Sequence, residues 1–249
     1  MPSKRRPARV GCVLALLVAG GLGWFGWSEY QRQLRDHPER FPWTPLRLSD
    51  PVGRFTAAKL VALRQDPALC RSLLSGDGSR DLAVAPRQSS EPECGLADGM
   101  ALRPDGRRSA TYPGGLVTAC PVAAALRLWE RHTVQPAAER LFGARVERID
   151  HFGSFSCRRL YGRPDGGWSE HATANAVDIA GFRLSDGRRI NVLRDWSGGG
   201  DKAAFLRNVR DGACDVFATT LSPDYNAAHR DHLHLDQALR GRTGGRLCR

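Results

Sequence analysis

The chain has 249 residues, and 37 Lys and Arg against 26 Asp and Glu give it a formal net charge of +11. This length fits one large domain or two small ones. The positive charge favours anionic surfaces and polymers as partners. No motif pairs basic with aromatic side chains in the manner of nucleic-acid-binding modules, so we do not expect nucleic acid as a partner.

The N-terminal segment is predicted to anchor the protein in a membrane. An uncharged run over residues 10–27 follows four basic residues, and it is about as long as the shortest spanning helices. The basic residues favour a cytoplasmic N-terminus and an exported remainder. A cleaved signal peptide is the alternative, because it has the same basic and apolar parts. We favour the uncleaved anchor, since no convincing small-x-small cleavage site follows the run.

Cysteine usage agrees with export. Six of the seven cysteines follow the apolar run, and an even number in an exported domain predicts up to three disulfides. None forms a C-x-x-C pair, which argues against a cysteine zinc site or a thioredoxin-like redox centre. Cys12 lies inside the apolar run and is interpreted as a membrane residue.

The chain divides into three predicted parts. Residues 1–27 form a cytoplasmic tail and the anchor, the proline-containing residues 28–50 form a polar linker, and residues 51–249 form the domain. Residues 75–115 are rich in Gly, Ser, Asp and Pro and predict loops and short strands. Helices are predicted over 56–63 with Thr56 as cap, from Pro67 onward, over 121–140 with a break or restart at Pro136, and over 203–209.

Strand patterns dominate the second half of the domain. The candidates are 146–150, 175–182, 189–193 after an Asp186-Gly187 hairpin turn, and 232–235. Because most helices come first and strands later, the order predicts an α+β fold rather than a doubly wound sheet. We expect a short antiparallel sheet that carries the site, is flanked by helices and is stapled by disulfides.

Two short segments, SEHATANAVD and HRDHLH, contain candidate metal ligands. His171, Asp178 and His234 offer two imidazoles and a carboxylate, and three ligands with one open position are usual for catalytic zinc. On one helix His171 and Asp178 would lie roughly 10 Å apart, so a loop carrying His171 must fold back against a strand carrying Asp178. His234 must come from a neighbouring strand, and alternation places His232 on the same face.

These motifs resemble those of zinc peptidases. Ser169-x-His171-x-x-Ala174-x-Ala176-x-Asp178 resembles the S-x-H-x-x-G-x-A-x-D motif of the D-Ala-D-Ala carboxypeptidase and dipeptidase group, with Ala174 in place of Gly. The H-x-H at residues 232–234 resembles that of the wider group containing lysostaphin-type enzymes and penicillin-insensitive murein endopeptidases.

A closer resemblance covers residues 120–248, which are similar to the extensin-like C-terminal domain family of bacterial proteins. It rests on four segments: Ser156-Cys157-Arg158, SEHATANAVDIAGF at 169–182, AAFLR at 203–207 and PDYNAAHRDHLHLD at 223–236.

The peptidase resemblance implies roles for individual residues. His171, Asp178 and His234 fall where the peptidases bind Zn²⁺. Asp231 stands where the carboxypeptidases have their general base, and His232 stands where the H-x-H enzymes have a catalytic imidazole. Either residue could be the base; we favour Asp231, with His232 supporting it.

Further residues are candidates for contacts with the substrate. Arg158 matches an arginine that binds substrate or stabilises a developing oxyanion. Tyr225 and Asn226 could shape the substrate groove. Ser169, the first residue of the motif that contains His171 and Asp178, is also a candidate for substrate binding.

The sequence therefore predicts a zinc-dependent, membrane-anchored peptidase acting on peptidoglycan stem peptides, as a carboxypeptidase or an endopeptidase. It would be a single-pass protein of the bacterial inner membrane with its C-terminal domain in the periplasm. The alternative is a non-catalytic peptidoglycan-binding or envelope-scaffold module with the same fold. A lytic glycosidase would need paired carboxylates flanking a groove, and the sequence gives no signal for such a pair.

Overall fold

The computed structural model describes residues 7–104, 109–240 and 245–249. The chain divides into two compact units, Met1–Pro45 and Leu46–Arg249. Its helices are α1 Pro7–Asp36, α2 Thr56–Ala62, α3 Pro67–Gly76, α4 Cys120–Trp129, α5 Gln135–Phe142, α6 Val192–Asp195 and α7 Gly200–Val216. Its strands are β1 Leu82–Ala83, β2 Arg87–Gln88, β3 Gly95–Leu96, β4 Gly99–Leu102, β5 Leu116–Ala119, β6 Val146–Gly153, β7 Ala176–Leu184, β8 Arg189–Asn191, β9 Thr219–Leu221, β10 Leu233–Asp236 and β11 Leu247–Cys248.

The first unit is dominated by α1. Its part Gly11–Asp36 is long and apolar enough to cross a membrane by length and composition. The helix also includes residues 28–36, which were predicted to begin a linker. These polar residues contain no proline before Pro38, and Glu29 accepts a hydrogen bond from the Gln33 amide at 3.0 Å, a spacing of four residues that stabilises helices.

The first helices of the second unit follow the sequence prediction. Pro67 occupies the first turn of α3, where a missing N–H costs nothing, and the Asp66 carboxylate caps that turn by accepting from Leu69 N at 2.9 Å. The prediction that Thr56 caps α2 is wrong. Thr56 is the first residue of α2, and its hydroxyl accepts from Gly53 N at 2.9 Å, one turn ahead of the helix.

The predicted helix over 121–140 is found as α4 and α5, joined by a π-helical turn at Glu130–Val134. Because Pro136 has no N–H to donate, the widened turn ahead of it lets the chain restart as helix instead of ending. All of α4 is buried, and the Trp129 indole N–H donates to Val209 O on α7 at 2.7 Å. α7 extends well beyond the predicted 203–209.

The main sheet has the order β11-β9-β10-β7-β6, with β8 paired to β7. All pairs are antiparallel except β9 with β11. β7 is the central strand, and apart from Arg183 its side chains are buried. The mixture of helices with an antiparallel sheet confirms the α+β prediction. The strand at 146–150 extends to Gly153, and residues 189–193 divide between β8 and α6.

Three disulfides fasten the second unit, as predicted: Cys70–Cys120, Cys94–Cys157 and Cys214–Cys248. The Cys94–Cys157 bond ties the loop before β3 to the segment after β6, which leads into the candidate site. Cys12 is the free cysteine of the described chain. Between the sheet and the helices, Phe182 packs against Trp129 and Phe205 with ring centroids 5.9 and 5.0 Å away.

Candidate metal centre

Neighbouring strands place two of the three predicted ligands opposite each other. In the antiparallel pairing of β7 with β10, Asp178 and His234 are direct partners in register. Directly opposed residues have their Cβ atoms about 5 Å apart on one face of the sheet, close enough to share an ion. His171 comes from a short 3₁₀ turn, Glu170–Thr173, that immediately precedes β7. The prediction that a loop brings His171 back against the strand holding Asp178 is therefore confirmed.

The reversal between turn and strand depends on Ala174. This residue adopts the left-handed conformation at φ 52°, where the family motif described above has glycine. Its carbonyl accepts hydrogen bonds from Ala119 N and Thr118 Oγ1, both at 2.8 Å. The Ser154 hydroxyl lies 3.0 Å from the same carbonyl and 2.6 Å from Ala176 O, the nearer acceptor for its one hydrogen. These contacts hold a backbone conformation that a non-glycine residue adopts only at a cost.

The three candidate ligand atoms converge. His171 Nε2 lies 3.2 Å from Asp178 Oδ1 and 3.2 Å from His234 Nδ1, and His234 Nδ1 lies 2.9 Å from Asp178 Oδ1. Tetrahedral zinc with bonds of about 2.0–2.1 Å would separate its ligand atoms by roughly 3.3 Å. The chemistry of the donor set and its spacing both fit zinc.

The outer nitrogens of the two imidazoles are already engaged. His171 Nδ1 donates to Ser154 O at 2.7 Å, and His234 Nε2 donates to Asp236 Oδ2 at 3.0 Å. A neutral imidazole has one N–H, so in their neutral forms both histidines would offer an inward lone pair to a metal. Metal-binding histidines typically donate their other N–H to a carbonyl or carboxylate in this way.

The sequence analysis did not find Asp236. It is buried, and its other oxygen accepts from Ala238 N at 2.9 Å. A signal was available, because His232, His234 and Asp236 alternate along one strand and therefore share a face.

Charges within the cluster shift the pKa values of two of its members. Burial alone would raise the pKa of Asp178, but hydrogen bonds from His171 and His234 outweigh it and hold that pKa well below its usual range. Burial lowers the pKa of His234, but Asp178 and Asp236 outweigh burial and raise it to about 9. These groups share protons in the absence of a metal, and a metal ion bound at their inward atoms would replace those protons.

Two further histidines border the cluster. His232 Nε2 lies 3.6 Å from Asp178 Oδ1, while its Nδ1 donates to Asp231 Oδ1 at 2.9 Å. The ring of His229 lies 5.2 Å from that of His232. Burial, followed by the charges of His232 and His234, lowers the pKa of His229 to about 4, so this imidazole is neutral near pH 7.

Three of the predicted substrate-binding residues also have structural contacts. The Ser169 hydroxyl accepts from His171 N at 3.3 Å and caps the turn. Asn226 Oδ1 accepts from His229 Nδ1 at 2.7 Å, and the Tyr225 ring lies 5.5 Å from that of His229. Asn226 and Tyr225 are therefore brought to the histidine cluster.

Arg158 is placed differently. Its side chain is exposed and lines a shallow pocket with Arg159, Arg163 and Trp168. Within the described chain, no hydrogen bond or ion pair joins the Arg158 side chain to His171, Asp178 or His234. Its predicted role in binding substrate stays a prediction.

A cavity of about 640 Å³ lies beside the turn that carries His171, and it is lined by Thr173 and Asn175 together with residues 86–89 and 91–98. None of the three converging donor residues lines it. The chemistry of the cluster therefore belongs to the surface formed by β7, β10 and the turn, and we do not assign it to this cavity.

The fold and the cluster define an α+β domain in which two neighbouring strands and the turn before one of them bring two histidines and an aspartate together. The chain matches the family described as "Extensin-like protein C-terminus" over residues 68–249, and it belongs to that family. The match begins near the start of α3, earlier than the resemblance seen in the sequence. Searches of curated proteins and of solved structures found no match.

Proposed function

We propose that this protein is a zinc-dependent peptidase that cleaves peptidoglycan stem peptides, as a carboxypeptidase or an endopeptidase. The observation that carries the proposal is the convergence of three lone-pair donors, His171 Nε2, Asp178 Oδ1 and His234 Nδ1, at 2.9–3.2 Å from one another. Zinc held by these atoms would supply Lewis-acid activation of water and of the scissile carbonyl.

The surroundings of His232 support its role as the general base. Its Nε2 faces the cluster, and its Nδ1–H is held by the Asp231 carboxylate at 2.9 Å. An imidazole fixed in this way can take a proton at Nε2 while the carboxylate stabilises the imidazolium. The geometry therefore favours His232 as the general base and Asp231 as its positioning residue. The sequence analysis favoured the opposite assignment, with Asp231 as the base.

Arg158 suits the binding of a substrate carboxylate. Arg158 is exposed and lines a pocket with Arg159 and Arg163, and a guanidinium can bind a carboxylate with two parallel hydrogen bonds. Stem peptides end in a carboxylate, so we assign Arg158 to substrate binding and not to oxyanion stabilisation.

The envelope location rests on three features. α1 contains a segment able to span a membrane, the second unit has three disulfides, and the net charge of +11 suits an anionic polymer. We infer a single-pass protein of the bacterial inner membrane with its second unit in the periplasm.

Zinc content tests the site directly. We would purify the full chain in mild detergent, load it with zinc, and compare it with His234→Ala and with His37→Ala, a histidine of the first unit. We expect about one zinc per chain in the wild type and His37→Ala, and little in His234→Ala. Cleavage of purified stem peptides should stop on addition of a chelator. A folded wild type that binds no zinc would favour the non-catalytic wall-binding module instead.

A second comparison assigns the base. We expect His232→Gln to lower kcat by about 10²–10⁴-fold while zinc content is retained, because proton transfer is lost and the ligands are intact. Asp231→Asn should cause a smaller loss. If Asp231→Asn is the more damaging substitution, Asp231 is the base and the assignment made here is reversed.

A further inference from the structure

Three large aromatic side chains are exposed around the histidine cluster. Phe152 is 62% exposed, Tyr161 57% and Tyr225 40%. They come from the end of β6, from the loop between β6 and β7, and from the loop between β9 and β10. Aromatic surface is normally withdrawn from water, so three exposed rings beside one polar site indicate a ligand that covers them. We call these three residues the aromatic platform.

Contacts tie the platform to the site. The Phe152 ring lies edge-on to His232 with centroids 5.8 Å apart, and the Tyr225 ring lies 5.5 Å from His229. The Tyr161 hydroxyl is 3.5 Å from the Nδ2 of Asn226. Any ligand that covers these rings would therefore also lie against the histidines.

Tyr161 is displayed at a conformational cost. It adopts φ 57° and ψ 20°, a left-handed conformation that is unfavourable for a residue with a bulky side chain. The ring remains mostly exposed, so the strain is not offset by burial of Tyr161 itself. Backbone strain that brings no burial is typical of functional positions.

The loop that displays Tyr161 is nevertheless held firmly. Leu160 N donates to Gly167 O at 3.0 Å, and the Arg159 guanidinium lies 4.4 Å from the centre of the Trp168 ring. The disulfide at Cys157 fastens the chain just before this loop. A platform that is rigid before binding loses little conformational entropy when a ligand arrives.

The chemistry of the platform matches a sugar. Its rings offer the electron-rich faces that attract polarised C–H groups, and the hydroxyls of Tyr161 and Tyr225 and the Asn226 amide offer hydrogen bonds beside them. A sugar ring has an apolar C–H face and a hydroxyl-bearing edge, which is the same combination.

We propose that Phe152, Tyr161 and Tyr225 bind the sugar residues of a β-linked amino-sugar glycan, so that the site receives peptides still attached to their glycan strand. The identity of the sugar rests on the proposed function. The stacking itself does not, because it requires no metal and no cleavage.

The test is calorimetric titration of the full chain with a neutral hexamer of β-1,4-linked N-acetylglucosamine, in a detergent without sugar groups and with EDTA present. A neutral probe removes the attraction between a basic protein and a charged polymer. We expect the wild type to bind, and Phe152→Ala and Tyr161→Ala each to weaken binding by about tenfold. Tyr161→Phe, which retains the ring, should stay within about threefold of wild type.

Leu193→Ala is the matched control, because Leu193 is an apolar side chain of α6 with a similar exposure of 54%. It should bind the hexamer as the wild type does. Absence of binding by the folded wild type, or binding unchanged by both alanine substitutions in the platform, would overturn the proposal. Zinc content is measured separately, so a failure of the peptidase proposal and a failure of the platform give different results.

Discussion

The second unit contains two clusters of buried polar side chains, and they are built in opposite ways. In the first, Arg127 of α4 donates to both oxygens of Asp81, to Arg103 O at 2.8 Å and to Glu130 at 3.3 Å. Glu130 in turn accepts from Tyr112 at 2.7 Å and from Ala110 N at 2.8 Å. We call this the arginine network. In the second cluster, the inward-facing nitrogen and oxygen atoms of His171, Asp178 and His234 lie within hydrogen-bond distance of one another. There are not enough hydrogens for every pair of these atoms to form a hydrogen bond.

The difference separates a structural cluster from a site. In the arginine network, positive and negative groups alternate and each acceptor has its donor, so the cluster is complete within the described chain. Such a network fixes the packing of α4 against the neighbouring loops. The candidate metal cluster instead brings three potential ligand atoms of His171, Asp178 and His234 to one point, an arrangement that suits a cation. Burial is similar in both, so the direction of the lone pairs carries the distinction.

Backbone strain follows the same division. In the described chain the non-glycine residues with positive φ are Tyr161 and Ala174. Ala174 follows the turn that carries His171, and the Tyr161 hydroxyl lies 3.5 Å from Asn226, which contacts His229. None of the residues in the arginine network has this conformation. Local strain therefore accompanies the candidate site and its surroundings, as expected for a functional site.

The largest expected effect on stability is in the arginine network. Arg127→Met should lower the free energy of unfolding by about 3–5 kcal/mol, because it leaves the carboxylates of Asp81 and Glu130 buried without their cation. Urea denaturation of the full chain in detergent measures this, and zinc content should be unchanged. The control is Arg148→Met, which removes a surface pair with Asp150 and should cost less than about 1 kcal/mol. Equal costs for the two substitutions would mean that the network is no more than a surface pair in its effect.

Asp236→Asn should act on the metal cluster with the opposite selectivity. Loss of the carboxylate behind His234 should weaken zinc binding by about 10–100-fold with little loss of stability, as seen when outer partners of metal-binding histidines are changed. Asp231→Asn is a matched control, because Asp231 holds His232, which is not a ligand. Competition with a fluorescent zinc chelator gives both affinities. The assignment of Asp236 would be wrong if the two substitutions weakened zinc binding equally.

Asp236 also shows where sequence reasoning ended. The convergence of His171, Asp178 and His234 could be predicted because residue type and a peptidase-like motif pointed to them together. Asp236 also lies in a segment shared with the extensin-like family, but its contact with His234 Nε2 depends on which imidazole nitrogen faces Asp178. That choice is set by the register between β7 and β10, which places Asp178 opposite His234. Pair-specific contacts of this kind cannot be derived from periodicity.

In the fold, too, features with a local cause could be predicted and features set by distant contacts could not. Patterns with a local cause were predicted, such as the Asp186-Gly187 turn and the helix that begins at Pro67. The strand order and the connectivity of the six bonded cysteines depend on contacts between distant residues, and no local pattern specifies them. The helical extension over residues 28–36 was missed because three later prolines gave the whole segment the composition of a linker.

The smallest expected effect concerns Ala174, and its sign is informative. Ala174→Gly removes the cost of a left-handed alanine, roughly 1–2 kcal/mol, but adds about 0.5–1 kcal/mol of chain entropy lost on folding. We therefore expect a net gain in the free energy of unfolding of about 0.5 kcal/mol. Ala172→Gly, two residues earlier in the same turn and without positive φ, should instead destabilise by about 1 kcal/mol. If Ala174→Gly destabilised the protein as much as Ala172→Gly, the left-handed conformation of Ala174 would carry no cost. The link between backbone strain and the candidate metal cluster would then be lost.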